Sequence, residues 1–550
     1  MTPFFSDVFT EMAALLLLAA IIGAIAMRLR QPLIVAFIAV GIIVGPSVLS
    51  WVTANDQVDL LAKMGIALLL FVVGLKLDLH IIRTMGPVAL ATGLGQVFFT
   101  SVMGYLIAVS LGMTSITALY VAVALTFSST IIIVKLLSDK REVDALHGRI
   151  AIGFLIVQDL IVILVMIGLT ALGEANESSH LGWEAIKVLI NGSLFIATIG
   201  LLMRYVLTPL LHQLARSTEL LILFAVAWAV ALGATGEHLG FSREVGAFLA
   251  GVSLASTPFR EAIAARLVSL RDFLLLFFFI DLGAGLDLAA LGDQIWPAIL
   301  LSLFVLIGNP LIVMSIMGFM GYRKRTGFLA GLTVAQISEF SLILAALGLS
   351  LGHINADTMS LITLVGLITI SISTYLILYS HPIYERISPL LSLFERKRAG
   401  REDASNLNAE QNNYDVILFG LGRFGTGIAS ELKRRGHNVL GVDFDPDLVR
   451  QNKADICKLH YGDAEDPEFL TSLPLGKVRW VINSVRDSQI NLALLHSLRE
   501  QGFTGQVAVT AHSLHDAQKL KAAGADHVML PYTDAAVEAV SELFKSEVHQ

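Results

Sequence analysis

The stretch Leu68-Leu-Leu-Phe71, which leads to Gly74-Leu-Lys-Leu-Asp78, returns as Leu274-Leu-Leu-Phe-Phe278, which leads to Gly283-Ala-Gly-Leu-Asp287. Upstream of the two copies, residues 32–41 match residues 244–251. The copies fall on the second and third apolar segments and on the ninth and tenth, so an odd number of segments separates them. The second copy therefore runs in the opposite direction. Inverted repeats of this kind build secondary transporters, whose site lies near the middle of the membrane between the repeats.

The composition places most of the chain in a membrane. Of the 550 residues, 55% are hydrophobic and 15% are charged, whereas soluble domains carry about 25% charged residues. We predict an α-helical polytopic membrane domain at 1–385, a polar linker at 386–413 and an α/β Rossmann domain at 414–550. The net charge of -7 argues against a nucleic-acid partner. The single cysteine, Cys457, excludes an intramolecular disulfide and a cysteine-based zinc site.

The apolar segments predict about thirteen membrane-spanning helices, since a span needs about 20 residues. Lysine and arginine concentrate in alternate loops, which by the positive-inside rule places the N-terminus outside and the C-terminal domain in the cytoplasm. Asp7 and Glu11 stand at the front of the first segment, where a cleavable signal would carry positive charge. The segments are 8–27, 32–49, 58–76, 87–111, 115–137, 150–172, 186–210, 219–234, 241–257, 270–289, 295–320, 327–350 and 357–379.

One carboxylate, Asp159, lies near the middle of the sixth segment beside Gln158, and no lysine or arginine stands within a turn of it. A charge at that depth costs about 3 kcal/mol, and ionisable residues inside membranes mark ion and proton pathways. We therefore predict that Asp159 binds a proton and a cation in turn. The alternative is a structural aspartate that caps or bonds a neighbouring helix.

Polar clusters interrupt the fifth and twelfth segments, which are partners in the repeat. They read Thr126-Phe-Ser-Ser-Thr130 and Thr333-Val-Ala-Gln-Ile-Ser-Glu-Phe-Ser341. Such clusters suit unwound helix segments that coordinate a small cation, although Ser and Thr also bond one membrane helix to another. Glu339 either serves the ion or neutralises helix ends. Three interpretations of Asp281 stay open: a second titrating site, a partner for a basic group, or a position at the membrane edge. The predicted ion and proton site comprises Thr126, Ser128, Ser129, Gln158, Asp159 and Glu339.

The C-terminal domain opens on a dinucleotide-binding pattern. A strand at 414–419 enters Gly420-Leu-Gly-Arg-Phe-Gly425, a helix follows at 426–435, and the next strand ends at Asp443. In this order the glycines let the backbone approach a pyrophosphate at the helix N-terminus, and the acid takes the ribose hydroxyls. Further strands are expected at 455–460, 478–484, 506–511 and 527–531. The residues predicted to bind an adenine nucleotide, NAD(H) or AMP, are Gly420, Gly422, Arg423, Phe424, Gly425, Asp443 and Asp463.

These motifs resemble the monovalent cation:proton antiporter-2 family, specifically its Kef-type K+ efflux systems. The residues that carry the resemblance are Gln158-Asp159, Ser128-Ser-Thr130, Gln336-Ile-Ser-Glu-Phe340 and, less specifically, the glycine motif at 420–425. It covers nearly the whole chain and implies a sodium/hydrogen exchanger-like fold in a bacterial inner membrane. It also implies that Asp159 carries proton and cation, that the chain is a homodimer, and that glutathione or an ancillary regulatory protein gates it.

Two positions depart from the family pattern. Kef-type proteins have an acidic cytoplasmic loop before helix ten, whereas residues 261–271 are predicted here to form a loop with Arg266 and Arg271 as its basic residues. Weak glutathione gating is therefore expected. The lysine that many relatives carry in helix eleven is Asn309 here, which leaves the stoichiometry open.

The function predicted on these grounds is K+/H+ antiport, with no metal beyond the transported cation and no enzymatic activity. Na+/H+ antiport stays open because the geometry of carbonyl and hydroxyl groups decides between the two cations. A ligand-gated, channel-like K+ pathway is less favoured because the chain has no T-V-G-Y-G-type filter. A membrane-tethered NAD-dependent enzyme is the alternative of a different class, and no cluster of catalytic residues follows the glycine motif to support it.

Overall fold

The computed structural model describes residues 7–46, 48–49, 51, 55–76, 87–140, 142–143, 145–175, 194–195, 197–239, 241–286, 291–394, 414–443, 456–462, 464, 469–470 and 473–544. The chain forms two compact units, a helical one that extends to Phe394 and an α/β unit that follows it. The predicted polar linker begins at 386, but the last long helix of the helical unit continues to Leu391.

The helical unit is built from seventeen helices within the described residues. Seven helical stretches are long and apolar enough to cross a membrane, and one of them, Gln294–Phe319, runs through two of these helices and the turn between them. Four shorter helical stretches are also apolar. A helical segment at Ala197–Leu207 precedes the helix that begins at Thr208. A π-helical turn at Phe304–Gly308 joins the helix that ends at Leu303 to the one that begins at Asn309. The helices are α1 (Val8–Arg28), α2 (Leu33–Val44), α3 (Asn55–Lys76), α4 (Pro87–Ser110), α5 (Ser115–Ala124), α6 (Thr130–Asp139), α7 (Leu146–Ala175), α8 (Thr208–Leu214), α9 (Thr218–His238), α10 (Arg243–Ala255), α11 (Arg260–Ala284), α12 (Leu291–Leu303), α13 (Asn309–Phe319), α14 (Lys324–Leu332), α15 (Glu339–Ser350), α16 (Ala356–Leu378) and α17 (Ser380–Leu391).

Two contacts between glycines show the sequence repeat in the folded structure. Gly41 of α2 packs against Gly283 of α11, and Gly74 of α3 packs against Gly251 of α10. In both contacts an added Cβ would overlap a backbone carbonyl oxygen of the opposing helix. The sequence repeat aligns Gly41 with Gly251 and Gly74 with Gly283, so each contact is the other one with the copies exchanged. The predicted repeat is therefore present as a pair of equivalent helix crossings.

The two polar clusters are breaks in helices, as the sequence predicts. The backbone leaves the helix between α5 and α6 at 125–129, and between α14 and α15 at 333–338. A serine starts the second half of each pair: Ser129 Oγ accepts a hydrogen bond from the Ile132 N–H, and Ser338 Oγ accepts one from the Phe340 N–H. The predicted fifth and twelfth spans are thus two half-helices each.

One prediction about secondary structure is wrong. Residues 261–271 do not form a loop, because they are the first turns of α11. Their apolar side chains recur at helical spacing, and Ile263, Ala264 and Leu267 are buried within the unit. Arg266 is exposed, but Arg271 is 5% exposed and belongs to the interior.

The C-terminal unit is a doubly wound parallel sheet. Its six strands lie at the predicted positions, in the order β3-β2-β1-β4-β5-β6. The order reverses between β1 and β4, which is where Rossmann folds bind their ligand. The elements are β1 (Val416–Phe419), α18 (Arg423–Arg434), β2 (Val439–Asp443), β3 (Lys458–Tyr461), β4 (Trp480–Asn483), α19 (Ser488–Glu500), β5 (Gln506–Thr510), α20 (Leu514–Ala522), β6 (His527–Met529) and α21 (Pro531–Phe544).

Candidate functional site

Buried glutamine side chains hold the first helix break open. The Ser128 N–H donates to Gln158 Oε1 at 3.0 Å, and Gln158 Nε2 donates to Gln96 Oε1 at 2.7 Å. Gln96 in turn donates to the carbonyl of Thr126 at 3.0 Å. Unwinding a helix in an apolar interior leaves backbone groups that need partners. Gln158 and Gln96 supply those partners. Gln158, the residue before Asp159, therefore stabilises the unwound backbone.

Asp159 faces the same break. Its Oδ2 accepts a hydrogen bond from the hydroxyl of Thr130, the first residue of α6, at 2.9 Å. The Asp159 side chain is half-buried. An acid in this place lies at the positive end of a half-helix dipole.

Glu339 joins the two breaks. It is the first residue of α15 and is 2% exposed, and its carboxylate lies close to Ser129 at the N-terminus of α6. Its Oε2 has no hydrogen-bond partner within the described chain. The hydroxyls of Ser128 and Ser341 are also buried there without a partner. Buried oxygens in that condition are uncommon in proteins, and they suit a site that takes up a cation or a proton.

Thr126 has a different environment. Its hydroxyl donates to the Ala122 carbonyl at 2.8 Å and lies 3.0 Å from Ser101 Oγ. These contacts hold the hydroxyl at the C-terminal end of α5. The group of Thr126 that bonds to Gln96 is therefore its carbonyl and not its hydroxyl.

Asn309 is a central residue that lies outside the predicted site. Its Nδ2 donates to the carbonyl of Leu125 at 3.1 Å and to that of Val334 at 3.5 Å. Its Oδ1 accepts a hydrogen bond from Thr100 at 3.1 Å. One neutral side chain thus links both breaks. Gln96, Thr100 and Asn309 share one recognisable signal, which is a polar residue in an otherwise apolar span.

A cavity of about 500 Å³ lies between α3, α10 and α11 on one side and α15 and α16 on the other. Its charged lining residues are Asp59, Glu244, Asp281 and Lys63, of which Lys63 and Asp59 form an ion pair. Asp281 is therefore an exposed acid that faces this cavity. By the predicted topology the cavity opens on the outer side. Leu347 and Ile343 also line it, and they stand two turns and one turn above Glu339.

The glycine motif of the C-terminal unit has the geometry of a phosphate-binding turn. Gly420 has φ +79°, in the left-handed region that favours glycine. A Cβ at Gly425 would overlap the Gly420 carbonyl oxygen, so only glycine fits this contact. A Cβ at Gly422, the residue that precedes α18, would meet nothing within 4 Å. The backbone is therefore open to a ligand at the N-terminus of α18. Arg423 and Phe424 follow Gly422 and are exposed.

Asp443 stands at the end of β2, as predicted, and its Oδ2 accepts a hydrogen bond from the Leu421 N–H. The carboxylate thus fixes the shape of the glycine loop. Its contact with ribose hydroxyls stays a prediction. Asp463 lies outside the described residues.

Comparison with known proteins gives matches to both units. The family model described as sodium/hydrogen exchanger, transmembrane, matches residues 14–378, and that of the TrkA-N domain matches residues 416–531. The putative K+ efflux antiporter KefB of Alkalimonas amylolytica is 27% identical over 94% of this chain and 78% of its own. The putative cation/proton antiporter YbaL of Escherichia coli K12 is 24% identical over 94% and 93%. The glutathione-regulated potassium-efflux system protein KefC of Escherichia coli O6 is 28% identical over 92% and 80%.

Proposed function

Since the chain belongs to the transmembrane sodium/hydrogen exchanger family, we propose that it is a K+/H+ antiporter that its C-terminal domain regulates by binding an adenine nucleotide. The observation that carries the proposal is the position of Asp159, whose carboxylate bonds to Thr130 at one helix break, while the buried acid Glu339 begins the helix that follows the other break. A carboxylate there can hold a proton or a cation, but the two compete for the same oxygens.

The exchange follows from that competition. A cation that reaches Asp159 displaces the proton, with the buried oxygens of Ser128 and Glu339 as further ligands. A proton that returns from the other side displaces the cation. Because unloaded carboxylate in an apolar site is costly, the loaded forms are the ones that move between the two sides of the membrane. K+ rather than Na+ is proposed because two of the reported relatives are described as K+ efflux proteins.

The proposal includes an orientation and an assembly. Loop charges favour an outer N-terminus and a cytoplasmic C-terminal domain. The protein is proposed to be a homodimer, and the exposed apolar side chains Val537, Val540 and Leu543 of α21 support contact between two C-terminal domains. NAD(H) and AMP are the proposed nucleotides because the glycine loop and Asp443 match the dinucleotide pattern. Glutathione and an ancillary regulatory protein remain candidate regulators.

Proton flux in proteoliposomes tests the function. The full-length protein is reconstituted with a pH-sensitive dye inside, and K+, Na+ and choline are offered in turn. We expect K+ to drive proton movement and choline to drive none. Asp159→Asn should reduce the K+ response to that of empty liposomes while the protein elutes as a folded species. Asp357→Asn, at an exposed position at the start of α16, is the matched control and should transport normally. Normal exchange by Asp159→Asn would contradict the carrier role.

A further inference from the structure

Two groups of helices meet at the outer cavity. The glycine-packed helices α2, α3, α10 and α11 are held together by close backbone contacts at their glycines. The break helices, α4 to α7 and α13 to α16, are joined by the hydrogen bonds of the two breaks, among them one from Ser373 Oγ of α16 to Gln336 Oε1 at 2.8 Å. The cavity separates α3, α10 and α11 from α15 and α16. In transporters built from inverted repeats, one such group moves against the other and exposes the site to each side in turn.

The two groups touch again at the other end of α16. Tyr375 Oη donates to the Leu29 carbonyl at 2.9 Å, and Gln31 Nε2 donates to the Ser371 carbonyl at 3.2 Å. Leu29 and Gln31 lie in the turn between α1 and α2, which the predicted topology places on the inner side. Thr363 of α16 lines the cavity, and Ser371 follows it by eight residues, about 12 Å along the helix. One helix thus lines the open outer side and bonds to the turn on the inner side.

The turn between α1 and α2 has a fixed backbone. Arg30 has φ +58°, in the left-handed region that residues other than glycine rarely adopt. The N–H groups of Arg30 and Gln31 donate to the carbonyls of Met27 and Ala26 at 3.0 and 2.8 Å. Pro32, whose ring fixes its own φ, follows at the start of α2. The turn therefore keeps its shape without help from α16.

The contact between the turn and α16 suits a connection that has to open. Its two hydrogen bonds join neutral groups, and Tyr375 is 40% exposed, so water can replace its bond. Gln31 Oε1 is buried without a hydrogen-bond partner in the described part of the chain. An unpaired buried acceptor costs stability, which offsets part of what the two bonds contribute. The closed contact is therefore only slightly favoured over the open one.

We propose that the turn between α1 and α2 is the inner gate of the transporter, which Gln31 and Tyr375 hold closed on α16 while the outer cavity is open. The inference rests on the proposed function. For the site to face the cytoplasm, the break helices move relative to the turn and both hydrogen bonds break. Gln31 and Tyr375 are thus positioning residues, which set how often the inner side is open. Removal of one bond increases the population of the inward-open state.

Thiol labelling from the two sides tests the gate. The full-length protein with Cys457→Ser carries one new cysteine, either Ser371→Cys at the turn or Ala346→Cys in the outer cavity. Membrane vesicles of each orientation receive a membrane-impermeant thiol reagent. Tyr375→Phe should raise the labelling rate at position 371 from the cytoplasmic side about fivefold, the effect of one lost hydrogen bond. Labelling at position 346 from the outer side should not rise. Tyr379→Phe makes the same change at an exposed position one turn later and should alter neither rate.

A cross-link across the gate is the second test. On the Cys457→Ser background, a short, cleavable bifunctional thiol reagent joins the cysteines of Gln31→Cys/Ser371→Cys. K+-driven proton flux in proteoliposomes should fall to that of empty liposomes and return when the reagent is cleaved. Lys140→Cys/Ser380→Cys is the matched control, since Lys140 Nζ and Ser380 Oγ lie 2.7 Å apart on the same inner side and both move with the break helices. Cross-linking this pair should leave its flux unchanged.

The outcomes distinguish the gate from the antiport. Equal labelling of position 371 in Tyr375→Phe and Tyr379→Phe overturns the gate, and so does a rise at both labelled positions, which indicates general loosening. Undiminished flux through the cross-linked Gln31→Cys/Ser371→Cys protein overturns it as well. If that variant does not fold, the labelling decides, because Tyr375→Phe removes only a hydroxyl group. Labelling needs no transport, so absence of cation-driven proton flux in the wild type overturns the antiport, while the labelling rates still decide the gate.

Discussion

Asn309 lies where both helix breaks meet, and removing its side chain should be costly. Asn309→Ala leaves the carbonyls of Leu125 and Val334 and the hydroxyl of Thr100 without this amide. Unpaired buried polar groups of this kind cost about 1–3 kcal/mol each. We therefore expect a marked fall in melting temperature in detergent and slower K+-driven proton flux. Ser315→Ala, at an exposed position on the same helix, is the control. Equal stability of the two variants would show that other groups satisfy these carbonyls.

Glu142, between α6 and α7, is the centre of a partly buried ion cluster. Its Oε1 contacts His381 Nε2 at 2.7 Å and Lys140 Nζ at 2.8 Å, and its Oε2 contacts His147 Nε2 at 3.1 Å. Burial alone would raise the pKa of the Glu142 carboxyl, but the hydrogen bonds from His147 and His381 and the charge of Lys140 hold it well below its usual range. The ionised carboxylate therefore stabilises the fold.

The pH dependence of that stabilisation follows from the lowered pKa of Glu142. The contribution is complete above the carboxyl's ordinary pKa and is lost as the pH falls toward the lowered value. Glu142→Gln should therefore destabilise the protein by about 3 kcal/mol at pH 7, since it leaves buried charges unpaired. The difference in stability between Glu142→Gln and the wild type should narrow below about pH 4.5, where the Glu142 carboxyl of the unfolded chain is protonated. Melting temperatures from pH 4 to pH 8 provide the measurement, with Glu261→Gln at an exposed position as control. A gap that does not change with pH would assign the loss to packing.

Single site residues were predictable where a charged side chain stands in a membrane span, because such residues are rare there. Asp159 and Glu339 are charges inside apolar spans, and the cost of burying them marks them in the sequence. Gln96 and Asn309 are neutral, so their cost is smaller, and their partners lie in spans far along the chain. Their hydrogen bonds could not be inferred from spacing. Asp443 was placed at the end of its strand, but its bond to the Leu421 N–H depends on the folded loop.

At the scale of helices, the glycine contacts give a direct test of the repeat. Gly283→Ala would press a methyl group into the Ile38 carbonyl oxygen, and Gly251→Ala would press one into that of Phe71. Because backbone cannot yield as a flexible side chain can, each variant should lose about 1–3 kcal/mol. Thermal melting in detergent measures the loss. Gly168→Ala meets nothing within 4 Å and should be neutral or slightly stabilising. If Gly283→Ala and Gly251→Ala both melt at the wild-type temperature, the paired helices can move apart without loss of stability.

The elements were predictable to the extent that local pattern determines them. The strands of the C-terminal unit alternate with helices and end on turn residues, so their positions were right. The breaks at 125–129 and 333–338 follow from polar runs in apolar spans. Residues 261–271 were assigned to a loop because of their charges, whereas the buried Ile263 and Leu267 show a helix with one apolar face. Charge marks exposure in a sequence but does not distinguish a loop from the outer face of a helix.

At the scale of the whole molecule, nucleotide binding should depend on the space at Gly422. Gly422→Asp places a carboxylate at the N-cap of α18, a position that favours aspartate for the helix itself. The domain should stay folded, but the carboxylate would occupy and repel the place of a pyrophosphate. We expect calorimetry on the full-length protein to show NAD(H) or AMP binding that Gly422→Asp reduces at least a hundredfold. Gly427→Asp adds the same charge at an exposed, open position of α18 and should bind normally. Absence of binding by the wild type would make the site vestigial.

Regulation by the C-terminal domain is the last prediction. A ligand can bias a transporter only if it binds two of its states with different affinity. Deletion of residues 400–550 leaves α17 intact, since that helix ends at Leu391, and should change the rate of K+-driven proton flux. The full-length Gly422→Asp variant keeps the C-terminal domain but should lose any response of the flux to nucleotide. It therefore distinguishes an effect of nucleotide binding from an effect of the presence of the domain.

Glutathione should have little effect in the same assay. The stretch that is an acidic loop in Kef-type relatives is here the start of α11, where Arg266 is exposed and Arg271 is buried. Glu261 is the one acid in residues 261–271, so most of an acidic restraint of the kind that a glutathione adduct would release is missing there. The measurement compares full-length and truncated protein in proteoliposomes with and without a glutathione adduct. Strong activation of the full-length protein alone would show that another surface gates it, and the charge of this helix would then not decide the regulation.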